Sequence, residues 1–223
     1  MDMTPIAPQD FAHADGLEDW RVLSDGALLF LRTGSFADSA RLVAAMADLP
    51  AIAERPPAVD VRGAGVTVRL VTATAEGYGL TLGDVDLARR ISKLGRDLGL
   101  EGDPTTLQSL LVIPGAPVAD AVMPFWRAVL GYESRADNPD EDLVDPRDRG
   151  PAFWFETMDE PRPGLGGAIH VGVWVPIEAA EARVAAALAA GGRLVRDEFA
   201  PSWWTLADAA GNEVDVATVA GRG

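Results

Sequence analysis

The sequence contains no cysteine, no long apolar run and few basic residues. Without cysteine there are no disulfide bonds and no thiolate metal ligands. No apolar stretch approaches the length of a membrane-spanning helix, and the N-terminus MDMTPIAPQDF lacks the basic and apolar parts of a signal peptide. The 34 acidic residues outnumber the 19 basic ones and give a net charge of −15, which would repel nucleic acid. We therefore expect a cytoplasmic protein that binds neither membranes nor nucleic acid.

The remaining composition predicts a folded α+β protein of two domains. The chain has 223 residues, of which 48% are hydrophobic, enough for two domains of ordinary size. Strand and helix patterns in the first half follow the order ββαββα, with Ser35 and Thr81 as N-caps of its two helices. The second half shows two copies of a βαβββ pattern. The segment Gly102-Asp103-Pro104 is the expected linker, so the predicted domains cover residues 11–101 and 105–220.

The second half is built on seven predicted elements. We predict strands over Leu107–Ile113, Ala152–Met158, Ala168–Val175, Trp203–Ala207 and Val214–Val219, and helices over Ala119–Leu130 and Glu178–Ala190. A further short strand is expected near Leu194. The acidic stretch between the first helix and the strand Ala152–Met158 is predicted to be a solvated loop.

Four polar residues lie in or at the end of these apolar stretches: Gln108, Glu156, His170 and Glu213. A polar group in such a stretch is costly to bury without a partner. The four fall into two pairs with similar internal spacing, Gln108 with Glu156 and His170 with Glu213, which is typical of a duplicated module. If each copy lends two ligands to one site, the natural occupant is a divalent cation with positions left for water or substrate.

Alternation along three strands gathers polar and aromatic side chains on one face of each. The members of these faces are His170, Gly172 and Trp174 on the first strand, Trp154 and Glu156 on the second, and Glu213 and Asp215 on the third. The valines on the opposite face of the first strand are expected to pack on helices. Trp154, Trp174 and Trp204 are expected to line a pocket for a flat or aromatic ligand.

The stretch from Leu107 to Val219 resembles the glyoxalase and vicinal-oxygen-chelate superfamily. The segments that carry the resemblance are Pro124-Phe-Trp-Arg-Ala-Val-Leu-Gly131, Ile169-His-Val-Gly-Val-Trp174, Ala190-Gly-Gly192 and Trp204-Thr-Leu-Ala-Asp-Ala-Ala-Gly-Asn-Glu213. Two positions depart from the family pattern, since Ala209 replaces a usual proline and Gly172 replaces a usual aspartate. The resemblance implies paired βαβββ modules that curl into a cup.

Carried over by position, the family's metal ligands are Gln108, Glu156, His170 and Glu213. A one-residue shift in strand register would give the role of Gln108 to Ser109. The implied metal is Zn, Mn, Ni, Co or Fe(II), acting on a substrate with adjacent oxygens, while Glu156 or Glu213 moves a proton. Members of the bleomycin-resistance branch bind a ligand in the cup without metal, so both a metal site and a metal-free polar cavity are open hypotheses.

The stretch from Leu17 to Leu98 resembles pterin-4a-carbinolamine dehydratase. The strings Pro57-Ala-Val-Asp-Val-Arg62 and Gly79-Leu-Thr-Leu-Gly-Asp-Val-Asp-Leu-Ala88 carry this resemblance. The family's chemistry uses a His-His-Pro segment, but here the three positions are Arg55, Pro56 and Pro57. Asp84 survives from the family's polar signature. The resemblance implies a dehydratase-like fold that has lost the dehydratase chemistry, together with a homodimer or tetramer.

Three functions follow from these observations. The first is a metal-dependent lyase, isomerase or dioxygenase acting in the second half. The second is a protein that binds a small molecule without turnover. The third is a pterin-4a-carbinolamine (4a-hydroxytetrahydrobiopterin) dehydratase, which the missing histidines disfavour because acid–base catalysis near neutral pH needs a proton carrier.

Overall fold

The computed structural model describes residues 2–24, 26–74, 77–116, 118–120, 122–123, 127, 132–158, 168–189, 192–207 and 213–221. The chain divides into two compact units, the first ending at Leu107 and the second covering Gln108–Gly221. Both units mix helices with sheets, which confirms the predicted α+β class. Among the helices in the described ranges, none has the length and apolarity needed to cross a membrane.

The first unit contains the predicted ββαββα elements and several short additions. Its helices are α1 (Pro8–Ala12), α2 (Phe36–Ala47), α3 (Pro50–Glu54) and α4 (Leu82–Asp97). Its strands are β1 (Pro5–Ile6), β2 (Trp20–Leu23), β3 (Gly26–Arg32), β4 (Ala58–Arg62), β5 (Gly65–Leu70), β6 (Thr72–Thr74), β7 (Gly77–Thr81) and β8 (Glu101–Gly102). One sheet has the order β2-β3-β5-β4, with β8 also paired to β3, and a second has the order β1-β7-β6.

Both predicted helix caps are present. The Ser35 hydroxyl accepts a hydrogen bond from the backbone N–H of Asp38 at 3.2 Å and begins α2. Thr81 forms a reciprocal capping box with Asp84 at the start of α4, so each side chain accepts from the other's backbone N–H. These caps satisfy N–H groups that the first turn of a helix leaves without partners. Local sequence therefore determines where both helices begin.

The second unit is one long sheet with helices on one side. Its strands are β9 (Ser109–Ala116), β10 (Glu133–Ser134), β11 (Asp142–Val144), β12 (Ala152–Trp154), β13 (Glu156–Thr157), β14 (Ala168–Trp174), β15 (Arg193–Arg196), β16 (Trp203–Ala207) and β17 (Glu213–Ala217). Helix α5 covers Ile177–Ala189. The strand order is β10-β11-β12-β9-β14-β17-β16-β15, with β13 also paired to β9.

This order places two similar modules side by side. In each module the first and last strands are parallel neighbours, β9 with β12 and β14 with β17, and the two modules join through the antiparallel pair β9–β14. The segment predicted as an acidic loop contains the short strands β10 and β11. They are the middle strands that the βαβββ pattern requires in the first copy. The helix predicted over Ala119–Leu130 and the Gly-Asn hairpin before Glu213 lie partly outside the described residues.

Candidate functional site

His170 lies on β14, a central strand of the second unit. On one face of the sheet, Val175 packs with Val184 of α5 and Val216 of β17 in a buried cluster, and Val173 packs against it. Because side chains alternate along a strand, His170 lies on the opposite face with Gly172 and Trp174. The His170 side chain is 7% exposed. The apolar face thus fixes the orientation of the strand and holds a histidine in a nearly buried position.

Glu156 approaches one nitrogen of the His170 ring. Phe153 and Phe155 pack in a second apolar cluster, so alternation places Glu156 on the other face of the sheet. Glu156 pairs with Gly115 on β9, and this neighbour carries no side chain between β13 and β14. The Glu156 Oε2 atom lies 3.7 Å from His170 Nδ1, and the Glu156 side chain is 38% exposed. Glu156 is therefore the member of this pair that solvent reaches.

Asp215 approaches the other nitrogen of the ring. It lies on β17 in register with Gly172 of β14, and its Oδ2 atom is 3.4 Å from His170 Nε2. Thr205 on β16 pairs with Asp215 across the sheet, and its hydroxyl donates a 2.7 Å hydrogen bond to Asp215 Oδ1. The strand pattern predicted Asp215 on the same face as Glu213, but only Glu213 was predicted to be a site residue. Asp215 is thus a site residue that sequence reasoning missed.

The surroundings of Asp215 favour its ionised form. Burial raises the pKa of Asp215. Hydrogen bonding from His170 and Thr205, together with the charges of His170 and Arg196, lowers this pKa by more than burial raises it. The net effect holds the pKa of Asp215 below its ordinary value. Asp215 is accordingly a carboxylate at neutral pH and accepts hydrogen bonds at both oxygens.

The structure separates Gln108 from the other three predicted ligands, which share one face of the sheet. Gln108 precedes β9, and its amide oxygen accepts a 3.3 Å hydrogen bond from Arg183 of α5, the helix that packs on the face opposite His170. Ser109, in register with Trp174, lies buried on the face of His170. Glu213 lies on the face of Asp215, in register with Ala207 of β16. Glu156, His170 and Asp215 lie together, and the parallel register of β14 and β17 places Glu213 level with His170 on the same face.

The first unit contains a different polar cluster at the predicted dehydratase site. Asp84 is buried at the start of α4 and accepts hydrogen bonds from the hydroxyls of Thr72 and Thr81 and from the Thr81 backbone N–H, at 2.8–2.9 Å. Arg55 donates to the same carboxylate at 2.7 Å. Pro56 and Pro57 lie between α3 and β4. Arg55, which stands at the first histidine position of the resembled family, thus forms an ion pair with the surviving Asp84.

Comparison with protein families agrees with the two units. The family described as pterin 4 alpha carbinolamine dehydratase matches residues 4–94, and the family described as glyoxalase-like domain matches residues 111–217. The chain joins a pterin dehydratase-like domain to a glyoxalase-like domain. Both predicted resemblances are thereby confirmed. No curated protein sequence matches the chain significantly.

Several solved structures are similar to about half of the chain. A glyoxalase/bleomycin resistance protein/dioxygenase superfamily member from Vibrio splendidus 12B01 is 18% identical over 50% of this chain and 99% of its own, with a TM-score of 0.34. A lactoylglutathione lyase from Agrobacterium tumefaciens is 18% identical over 52% and 96%, with a TM-score of 0.21. An NAD-dependent benzaldehyde dehydrogenase from Legionella pneumophila is 11% identical over 49% and 97%, with a TM-score of 0.36. At these scores the similarities carry no argument about activity.

The glyoxalase-like domain does not present a metal site built from the four predicted ligands. The two nitrogens of His170 point in different directions, one toward Glu156 and one toward Asp215, so an ion bound at either nitrogen would meet only one of these carboxylates. Gln108 lies on the other face. Within the described ranges, no three His, Asp or Glu side chains are arranged to hold a metal ion. We therefore derive no chemical step through a metal.

The tryptophans that the structure describes in the glyoxalase-like domain divide between the two faces of its sheet. Trp174 is nearly buried on the face of His170, and Trp154 donates a 3.2 Å hydrogen bond to Glu141. Trp204 packs against the cluster under α5, on the opposite face. Trp203, in register with Ala217 on the face of Asp215, stacks on Phe199 at a ring distance of 4.3 Å. Trp203 is thus a further aromatic side chain on the face of His170, and it was not among the predicted ligand-binding residues.

Proposed function

We propose that the glyoxalase-like domain binds a small carbonyl compound and catalyses proton transfer at the carbon next to the carbonyl group. The observation that carries this proposal is the contact between a partly exposed carboxylate, Glu156, and a buried histidine, His170. The reaction class is an isomerase or lyase. This proposal corresponds to the first of the three functions that the sequence predicts, without the metal.

Glu156 is the general base in this proposal. A carboxylate that solvent reaches on one side can also meet a bound substrate, whereas His170 is too buried to do so. Glu156 takes the proton as the C–H bond breaks, and the electron pair moves onto the carbonyl oxygen to give an enolate. With a 2-hydroxycarbonyl compound, the protonated Glu156 then gives the proton to the former carbonyl carbon while the hydroxyl proton moves to the enolate oxygen. With a compound that lacks this hydroxyl, the proton returns to the same carbon. A positioned acid–base group of this kind contributes about 10²–10⁴-fold to a rate.

The face of the sheet around Glu156 supports a small organic substrate. Trp154 lies two residues before Glu156 on the same face of the sheet, and Trp174 is nearly buried on that face four residues along β14 from His170. Aromatic walls with a few polar groups are typical of small-molecule sites. The same feature supports the second candidate, a domain that binds its ligand without turnover, and the test below separates the two.

The dehydratase-like domain is not proposed to carry the activity. Its Asp84 is held by Arg55, and an arginine side chain does not release its proton in proteins. The described donors to the Asp84 carboxylate are therefore two hydroxyls, a backbone N–H and a permanently charged guanidinium. A role in oligomerisation stays a prediction for this domain.

The test measures hydrogen exchange at carbon. The full chain is incubated in D₂O with glyceraldehyde, dihydroxyacetone, pyruvate and 2-oxobutyrate in turn, and loss of the C–H signal is followed by proton NMR. We expect acceleration over buffer for at least one class of compound, and at least about a hundredfold less acceleration in Glu156→Gln. Glu178→Gln, the same change on α5, serves as the matched control and should leave the rate unchanged.

Two outcomes would contradict the proposal. Equal rates for wild type and Glu156→Gln would remove Glu156 from the chemistry. Quenching of tryptophan fluorescence by these compounds without any exchange would favour the binding protein instead.

A further inference from the structure

Asp215 holds a fixed place beside His170 because its strand neighbour has no side chain. Asp215 is in register with Gly172, so the space between Asp215 and His170 is not filled by a side chain from β14. A Cβ atom at position 172 would lie 3.2 Å from the carbonyl oxygen of Leu111, which is tighter than an ordinary contact. The carboxylate thus reaches diagonally to His170 Nε2 at 3.4 Å.

Thr205 holds the second oxygen of the same carboxylate. The ionised Asp215 can only accept, so the Thr205 hydroxyl must donate its proton to Oδ1. Thr205 is itself buried, which leaves its hydroxyl little freedom to turn toward water. One oxygen of Asp215 therefore contacts Thr205 and the other contacts His170, and rotation of the carboxylate would break both contacts.

We propose that Asp215 is a positioning residue that fixes the ring of His170, and that Thr205 fixes Asp215. The carboxylate accepts a hydrogen bond from His170 Nε2, which sets the ring so that the lone pair of Nδ1 is directed at Glu156 and can accept the proton that Glu156 takes up. Carboxylates orient histidines in the same manner at metal sites and catalytic triads. The contacts among Thr205, Asp215 and His170 do not depend on the proposed function. Only the role of the fixed ring, which is to assist proton transfer at Glu156, rests on it.

The charged groups around this chain of contacts are consistent with such a role. Arg196, which comes from the edge strand β15 and is half-exposed, adds positive charge near Asp215 and also lies 3.7 Å from Glu198. The register between β15 and β16 shifts after Leu194, which brings Arg196 opposite Thr205. A bulge of this kind is a common way to re-aim a side chain beside a site.

Nitrogen-15 NMR of the histidine rings tests the proposal without any substrate. The chain has only two histidines, and His13 is exposed with its Nδ1 near the Gln9 carbonyl, so it serves as an internal reference. In wild type we expect a protonated Nε2 on His170 whose proton exchanges slowly with water. In Asp215→Asn, which keeps the shape but loses the charge, exchange should be at least about tenfold faster.

Threonine variants supply the matched controls. Thr205→Val removes the hydroxyl and should speed exchange of the His170 Nε2 proton several-fold, while Thr205→Ser should restore the wild-type rate. Thr218 is an equally buried threonine whose hydroxyl donates to the Pro201 carbonyl at 2.6 Å. Thr218→Val removes this hydrogen bond and the one that the Thr218 hydroxyl accepts from the Ala220 backbone N–H, so it should lower stability at least as much as Thr205→Val but leave the His170 signals in place.

The results separate this inference from the proposed function. An unchanged Nε2 signal in Asp215→Asn would overturn the role of Asp215, and equal exchange in Thr205→Val and Thr218→Val would overturn the role of Thr205. Failure to catalyse hydrogen exchange at carbon would remove the proposed function but would not alter these NMR signals. If the carbon exchange is found, Asp215→Asn should lower kcat with KM little changed, because Asp215 does not touch the substrate.

Discussion

The two domains each contain an aspartate held by threonine hydroxyls, yet the two clusters differ in the partner that completes them. Asp84 in the dehydratase-like domain pairs with Arg55, whereas Asp215 in the glyoxalase-like domain lies against His170. Arginine is always charged in proteins, and histidine changes charge close to neutral pH. The same acceptor therefore belongs to a permanent ion pair in one domain and to a group that can carry protons in the other.

The clusters also differ in their access to solvent. The Asp84 side chain is 3% exposed and its oxygens accept from Arg55, Thr72 and Thr81, so the cluster is complete within the fold. In the glyoxalase-like domain the contacts continue from Asp215 through His170 to the more exposed Glu156. We infer that the first cluster stabilises a structure and that the second is open to a ligand.

The largest expected effect comes from removing Arg55. Arg55→Met leaves the Asp84 carboxylate buried without its positive partner, and we expect the dehydratase-like domain to lose about 3 kcal/mol of unfolding free energy. Arg55→Lys keeps the charge and should lose clearly less. Hydrogen exchange measured by mass spectrometry over α4 and β7 reports on this domain separately. A loss in Arg55→Met no larger than in Arg55→Lys would mean that the ion pair does not stabilise the domain.

The next variant gives Asp84 a histidine partner in place of arginine, like the partner of Asp215. In Arg55→His, the imidazolium form should pair with Asp84, so its pKa in the folded domain should exceed the unfolded value of about 6.5. The stabilisation is then present at pH 5 and is lost as the pH rises through the folded pKa, by about 1–2 kcal/mol. Thermal unfolding between pH 5 and pH 8 measures it. Arg55→Lys should show no such change, and a flat profile in Arg55→His would contradict the comparison.

The fold and the helix caps could be predicted because their signals are local. Ser35 and Thr81 begin α2 and α4 as expected, and the apolar spacing that follows each cap specifies a helix. The hairpin of β6 and β7 was not predicted. The strands β10 and β11 were predicted only as members of the first βαβββ copy, without positions in the sequence. They are brief and contain polar or small residues, so they exist through pairing with neighbouring strands, which the local sequence does not encode.

The site could be predicted only in part because a strand pattern gives a face but no lateral distance. Alternation correctly placed Glu156 and His170 on one face. The strand begins at Ser109, which lies on the face of His170 as the predicted one-residue shift allows, whereas Gln108 contacts a helix on the other side. Asp215 is on the expected face, level with Gly172, and Glu213 is level with His170 on the same face. The distances from these two carboxylates to the His170 ring depend on how the strands pair, which the sequence does not give.

A matched pair of threonine variants compares the two clusters with a smaller expected loss of unfolding free energy. Thr72→Val removes one hydroxyl donor to Asp84, and Thr205→Val removes the donor to Asp215. Each loss should cost about 1 kcal/mol of unfolding free energy. Only Thr205→Val should also slow hydrogen exchange at carbon, because only that cluster contacts Glu156. Equal effects of both variants on the exchange rate would show that the change reflects general destabilisation.

The smallest effect contrasts two aspartates within the glyoxalase-like domain. Contacts hold the pKa of Asp215 below its ordinary value, whereas burial raises the pKa of Asp142, which lies 3.5 Å from Arg135. The contribution of Asp215 to stability is present above the unfolded pKa of about 3.9 and is lost as the pH falls through its lower folded value. That of Asp142 is present at low pH and is lost as the pH rises through its raised folded value.

Asparagine at each position should therefore change stability in opposite directions. At pH 7, Asp215→Asn should be less stable than wild type and Asp142→Asn equal or more stable, each by less than about 1 kcal/mol. Both differences should shrink toward pH 3.5, where the wild-type carboxylates gain protons. Urea unfolding followed by tryptophan fluorescence suits this test, because Trp126, Trp154, Trp174, Trp203 and Trp204 all belong to the second domain. If Asp142→Asn loses as much stability as Asp215→Asn, the neighbours of Asp142 also stabilise its ionised form. Stabilisation of a buried carboxylate would then not be specific to the contact with His170.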